Sequence, residues 1–198
     1  DTHCHIFKEY YEDIDEIINN ANNSKINRII VASDNQSTAN EVLDLVSKYD
    51  NVYGALGIHP DNINEDLNEV IKLIEHNVNN HKIIAIGEIG LDYFHNKENK
   101  ELQILLLETF LKLAEKYQLP VIIHNRDATD DLIRILKKYH LKGIIHCFSG
   151  SIETANEYIK LGFKLGIGGV LTFKNSNLYK VVEGVSLDNI VLETCSLK

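Results

Sequence analysis

Short apolar runs alternate with longer amphipathic ones along the whole chain. Runs of strand length and strand character fall at residues 28–32, 52–57, 83–89, 120–124, 143–148, 164–167 and 190–193, and residues 1–6 have the character of the end of a further strand. Between them, helical spacing predicts helices over 14–21, 39–48, 67–75, 102–117, 131–139, 152–161 and 178–182. The fourth is the clearest, with Leu102, Leu105, Leu106, Phe110 and Leu113 on one face. Eight strands with a helix after each of the first seven imply parallel pairing through right-handed crossovers. Eight such units favour an α/β fold of the TIM (β/α)8 barrel type over an open doubly wound sheet. No glycine-rich dinucleotide fingerprint follows the first strand, which weighs the same way. A barrel of this type would continue through one more loop and helix, so the final helix is expected to be lacking from the sequence given.

Composition adjusts this picture only slightly. A chain of 198 residues can bury one substantial core, so a single domain over 1–198 is expected. With 44% hydrophobic and 25% charged residues the balance is that of a soluble globular protein, and no run is long and apolar enough for a membrane span. The start lacks both a basic signal-peptide region and an initiator Met, so a few upstream residues are expected to be missing. Three cysteines, Cys4, Cys147 and Cys195, form no disulfide framework, which fits a reducing cytoplasm. A net charge of −9 argues against a protein that coats nucleic acid. It leaves open an enzyme acting on nucleic acid, because bound divalent ions invert the local electrostatics of an acidic site.

Chemistry in such barrels sits at the C-terminal ends of the strands. His3 and His5 lie two apart at the end of the first strand, so extended backbone points both to one face. His59 closes Gly57-Ile58-His59-Pro60, Glu88 lies in Ile86-Gly87-Glu88-Ile89-Gly90, His124 ends Val121-Ile122-Ile123-His124, and His146 lies in Ile144-Ile145-His146-Cys147-Phe148. Imidazole and carboxylate suit zinc, manganese or iron, and a Glu can bridge two ions. His3, His5, Glu88, His124 and His146, converging on one mouth, are the candidate metal ligands for two divalent ions that activate a hydroxide against phosphorus. Five coincidental placements at strand ends would be needed to make them structural, although a lone strand histidine usually is.

Other residues weigh less. His59 is balanced between a substrate contact and a loop histidine capped by Pro60. His76, His81, His95 and His140 belong to solvated helix faces or loops. Cys4 and Cys147 neighbour candidate ligands, so strand alternation should turn them away as packing residues. Lys97, Lys100, Lys112 and Lys116 suit a solvated helix. Arg126, with Asp127 just past His124, is a candidate to clamp a phosphate bidentately, against a loop salt bridge. Gly166, Gly168 and Gly169 permit either close backbone approach to substrate or a tight turn.

The motifs Asp1-Thr2-His3-Cys4-His5, Gly57-Ile58-His59-Pro60, Gly87-Glu88-Ile89-Gly90-Leu91-Asp92, Pro120-Val121-Ile122-Ile123-His124-Asn125-Arg126-Asp127-Ala128, His146-Cys147-Phe148-Ser149-Gly150 and Thr172-Phe173-Lys174-Asn175 run in order over essentially the whole chain. Together they resemble the TatD family of metal-dependent deoxyribonucleases in the amidohydrolase superfamily. The resemblance implies a TIM barrel that hydrolyses DNA, often from the 3′ end, with two divalent ions (Mg, Mn or Zn). It implies no membrane and no obligatory protein partner. His3 and His5 would hold one ion, Glu88 would bridge and serve catalysis, and His124 and His146 would hold the second; His59 and Arg126 would lie beside the substrate. The family also carries an aspartate ligand in Glu-Thr-Asp-x-Pro-Tyr-Leu, whereas this chain reads Glu193-Thr194-Cys195-Ser196. Cys195 at that position leaves three readings: a segment absent from the sequence, a thiolate replacing the ligand, or a non-catalytic paralogue. A related barrel hydrolase cutting an ester, lactone or amide, such as an aminoacyl-tRNA ester, is the alternative activity.

Overall fold

The computed structural model describes residues 1–194. Seven parallel strands follow one another in sequence order: β1 (Ile29–Ala32), β2 (Val52–Leu56), β3 (Ile83–Asp92), β4 (Val121–Arg126), β5 (Gly143–Ile145), β6 (Phe163–Ile167) and β7 (Ile190–Leu192). The helices are α1 (Ile14–Asn23), α2 (Gln36–Lys48), α3 (Leu67–Asn77), α4 (Lys100–Tyr117), α5 (Thr129–Leu136), α6 (Ile152–Lys160) and α7 (Leu178–Gly184), one before each strand. The expected alternation is therefore present throughout.

Helix starts are set by short polar side chains that take up free backbone donors. Asp13 accepts from the Glu16 N–H ahead of α1, Asp66 from Asn68 and Glu69 ahead of α3, and Ser151 from Thr154 ahead of α6. Asn35 and Thr38 form a reciprocal capping box on α2. Each strand then divides its side chains between two environments, as period two requires. Ile29 and Val31 of β1, Val52 and Leu56 of β2, and Val121 and Ile123 of β4 join the large core beneath the helices. Their neighbours Ile30, Ala32, Ala55, Ala85 and Ile122 make a separate inner cluster. Small residues there let the sheet curl tightly.

The two edges of the curled sheet are joined by the opening segment. On one side the Cys4 N–H donates to Ile30 O, the Ala32 N–H to Cys4 O and the Ile30 N–H to Asp1 O. On the other, the Thr2 N–H donates to Leu192 O at 3.0 Å and the Thr194 N–H to His3 O at 3.2 Å. The segment thus does the work of the predicted eighth strand, although it forms only an isolated bridge, Cys4 with Val31, and no ladder. An α/β barrel results. Its strand bounds correct two expectations: β3 runs on past 89 to Asp92, and β5 stops at Ile145 rather than 148. Among the described residues no helix is long and apolar enough to cross a membrane.

Candidate metal centre

Glu88 is the hub of the barrel mouth. It lies within β3, is 2% exposed, and its two carboxylate oxygens face different sets of histidines. Nε2 of His3 and Nε2 of His5 lie 2.9 Å and 3.1 Å from Oε2. Nδ1 of His124 lies 2.9 Å from Oε1, with Nε2 of His59 at 3.7 Å and Nε2 of His146 at 3.8 Å from the same oxygen. The His3 and His146 rings stack across the two sets, 3.5 Å between centroids. All six sequence-predicted histidine and glutamate positions therefore meet in one place. Two overlapping donor sets share the carboxylate: His3, Glu88 and His146, and His59, Glu88 and His124.

The chemistry of these donors fits a metal ion. Nδ1 of His5 donates to Ala32 O at 2.9 Å, which leaves Nε2 as the ring nitrogen aimed at Glu88. A cation held by His5 Nε2 and Glu88 Oε2, which lie 3.1 Å apart, would engage both atoms. Burial lowers the His3 pKa to about 4, with His146 adding repulsion, so the His3 ring is neutral and able to ligate near pH 7. Burial would raise Glu88, but His146, His3, His59 and the hydrogen bond from His124 outweigh it and hold the carboxyl well below its ordinary range. His124 behaves oppositely: burial lowers it, yet bonds to Asp92 and Glu88 raise it to about 9, so an ion bound at Nδ1 would have to replace the proton shared with Glu88 while Nε2 keeps its bond to Asp92.

Two carboxylates that sequence reasoning missed support these ligands from behind. Asp92, buried at the end of β3, accepts from Nε2 of His124 through Oδ2 at 3.1 Å. Its Oδ1 accepts from the backbone N–H groups of Phe94 and His95. Gln103 clamps the same loop by bonding both to the Asp92 backbone and to Asn96 O. Glu193, just after β7, sits 2.9 Å from Nδ1 of His146. Gly166 makes room for it, because a Cβ there would fall 2.1 Å from Glu193 Oε2. The close approach expected near Gly166 thus serves a side chain of the protein. For Asp92 a signal was available: it stands four residues past Glu88, an even spacing along one strand.

The remaining candidates divide. The Nδ1 of His59 accepts from the Asp61 N–H at 3.2 Å, so its neutral ring carries the proton on Nε2, which suits a donor to substrate better than a metal ligand. Arg126 ends β4, exposed, with its guanidinium 4.1 Å over the Phe94 ring. Cys4 is buried in the core, as alternation requires. Cys147 is not turned away as expected. It follows the end of β5 and has a positive φ of 46°, so strand alternation no longer governs it, and its thiol joins His146 and Glu193 in a third donor group. His95, which had no assigned role, bonds Asp92 through Nδ1 at 3.0 Å. Cys195 lies outside the described residues.

A barrel whose mouth gathers histidines around one buried carboxylate defines the class of metal-dependent hydrolases. Known proteins agree. A model of the TatD related DNases matches residues 1–196, and the chain belongs to the TatD family. It is 40% identical over 203 residues to YabD, an uncharacterized metal-dependent hydrolase of Bacillus subtilis (strain 168), covering 98% of this chain and 78% of that one. It is 35% identical over 200 residues to the uncharacterized metal-dependent hydrolase YjjV of Escherichia coli (strain K12), covering 98% and 77%. The crystal structure of the latter TatD homologue superposes with a TM-score of 0.91 at 34% identity, over 98% of this chain and 77% of that one. A TatD family hydrolase from Entamoeba histolytica gives a TM-score of 0.86 at 28% identity, over 98% and 72%. The chain is a metal-dependent hydrolase that uses divalent ions.

Proposed function

We propose that this hydrolase cleaves phosphodiester bonds in DNA, taking nucleotides from a 3′ end, with two divalent ions of the Mg, Mn or Zn type. The observation that carries the number of ions is the division of Glu88. One oxygen serves His3 and His5, while the other serves His124 and faces His146 and His59. A carboxylate used on both sides is the natural bridge between two ions held a few ångströms apart. When bound, the ions activate water toward the phosphorus and neutralise charge that develops on the phosphate oxygens.

The chain's own groups would do the rest. His3 and His5 would hold one ion, His124 and His146 the other, with Glu88 common to both. Asp92 and Glu193 fix the orientation of His124 and His146. His59 presents a proton on Nε2 beside Glu88, where it can donate to a phosphate oxygen. Arg126, exposed at the rim with its guanidinium 4.1 Å from the Phe94 ring centroid, offers N–H donors to a phosphate. Support for DNA as substrate comes from the family itself, described as TatD related DNase.

The test is cleavage of a labelled oligodeoxynucleotide, run beside aryl ester and lactone substrates. Chelation by EDTA is expected to abolish DNA cleavage and added Mg²⁺ or Mn²⁺ to restore it. Cleavage that persists in excess EDTA would end the metal reading. Turnover confined to the esters or lactones would end the DNA reading.

A further inference from the structure

Phe94 is exposed to 59%, leaving most of an apolar ring in water. Yet the ring is not loosely placed. Its backbone N–H is tied to Asp92 Oδ1 at 2.9 Å, and the loop beyond is pinned by Gln103 to Asn96 O at 2.9 Å. His95 meets the ring edge-on, with centroids 5.0 Å apart and planes at 90°. Arg126 lies against it at 4.1 Å. Among the described residues no carboxylate pairs with Arg126, although the chain carries 29 acidic residues against 20 basic ones.

The position of this pair relates it to the metal centre. Asp92, which anchors Phe94, bonds His124. Arg126 follows His124 by two residues on β4, a span of about 6–7 Å. A fixed apolar ring and an unpaired guanidinium thus stand together one step from the proposed ligands. A ligand that uses both must present a flat π face beside an anion. A simple ester or lactone offers neither and a phosphate monoanion only the charge, whereas a nucleotide unit offers both.

We propose that Phe94 is a stacking platform for a nucleobase next to the cleaved bond, with Arg126 holding the adjoining phosphate. The proposal rests on the DNA reading above and adds a subsite to it. Stacking is sequence-tolerant, since every base has a π face, so Phe94 sets how firmly a nucleotide is held and not which base it is.

The test uses the metal-loaded protein and Phe94→Ala, with oligodeoxynucleotides that carry either a base or a tetrahydrofuran at each nucleotide flanking the cleaved bond. Phe94→Ala is expected to raise KM about tenfold on the base-bearing strand, the scale of one lost stacking contact. At one flanking position, replacing the base by tetrahydrofuran should make the two proteins equal. Phe94→Trp should restore KM. An unchanged KM for Phe94→Ala on the intact strand, or an equal rise on every tetrahydrofuran strand, would overturn the proposal alone. Failure of the unmodified protein to cut any of the strands would overturn the DNA reading and the subsite with it.

Discussion

At the scale of the residue, the two carboxylates behind the histidines matter as much as the ligands themselves. Asp92 fixes which nitrogen of His124 faces Glu88. Its Oδ1 is already committed to two backbone donors, so Oδ2 takes the imidazoles, His124 and His95. Asp92→Asn would keep the backbone bonds and turn an amide N–H toward His124, which cannot accept. Metal content after dialysis, read by elemental analysis, should fall about 10- to 100-fold in affinity, with a comparable loss of turnover. An unchanged melting profile would show that the fold survives, and unchanged metal affinity would remove Asp92 from this role. The ligands themselves were legible in the sequence, Glu88, His124 and His146 because they stand near or at the end of apolar runs and His3 and His5 because of their spacing of two. Asp92 was not, since the reading ended its strand at 89 and the ladder continues through Gly90 to the aspartate. Glu193 looked like a strand's last polar residue, and nothing local reveals that it reaches His146.

At the scale of the element, strands and helices were readable because period two and helical spacing are local properties. The inner row Ala32, Ala55 and Ala85 and the capping residues Asp13, Asn35 and Asp66 are equally local. Contacts between elements are less so. The fit of Gly166 on β6 against Glu193 after β7 depends on a cross-strand approach that no single segment encodes. Gly166→Ala would place a methyl group within 2.1 Å of the carboxylate. Overpacking of this kind costs about 1–3 kcal/mol, or roughly 2–12 °C in melting temperature for a chain of this size. Activity should fall as well, because the displaced carboxylate no longer orients His146. A variant that melts and turns over like the parent would show that the carboxylate relocates freely.

At the scale of the whole molecule, the metal centre and the closure of the barrel share one segment. His3 and His5 lie on the stretch that bonds both β1 and β7. Ions that bind only the folded chain add to its stability, by about 2.7 kcal/mol at a hundredfold excess over Kd. Loading with Mn²⁺ or Zn²⁺ should therefore raise the melting temperature, and Glu88→Gln, which removes the shared charge, should blunt the rise. Equal shifts in parent and variant would place the stabilising ions elsewhere. This closure was the part of the fold least visible in the sequence, since an opening segment of six residues looks the same whether it pairs with one strand or two.

The same segment also sets an order of events in time. Thr2 finds its partner Leu192 at a distance of 190 positions along the chain, and Thr194 meets Asp1 across 193. During synthesis Asp1 and Thr2 wait for partners made nearly two hundred steps later, about ten to forty seconds at ordinary elongation rates. Until then the side of residues 2–3 that pairs with β7 and Thr194 stands open, while residues 1–4 can already pair with β1 and β1 to β6 with their neighbours. Closure of the barrel around the metal centre therefore waits for β7, and a nascent chain has no closed centre before β7 emerges.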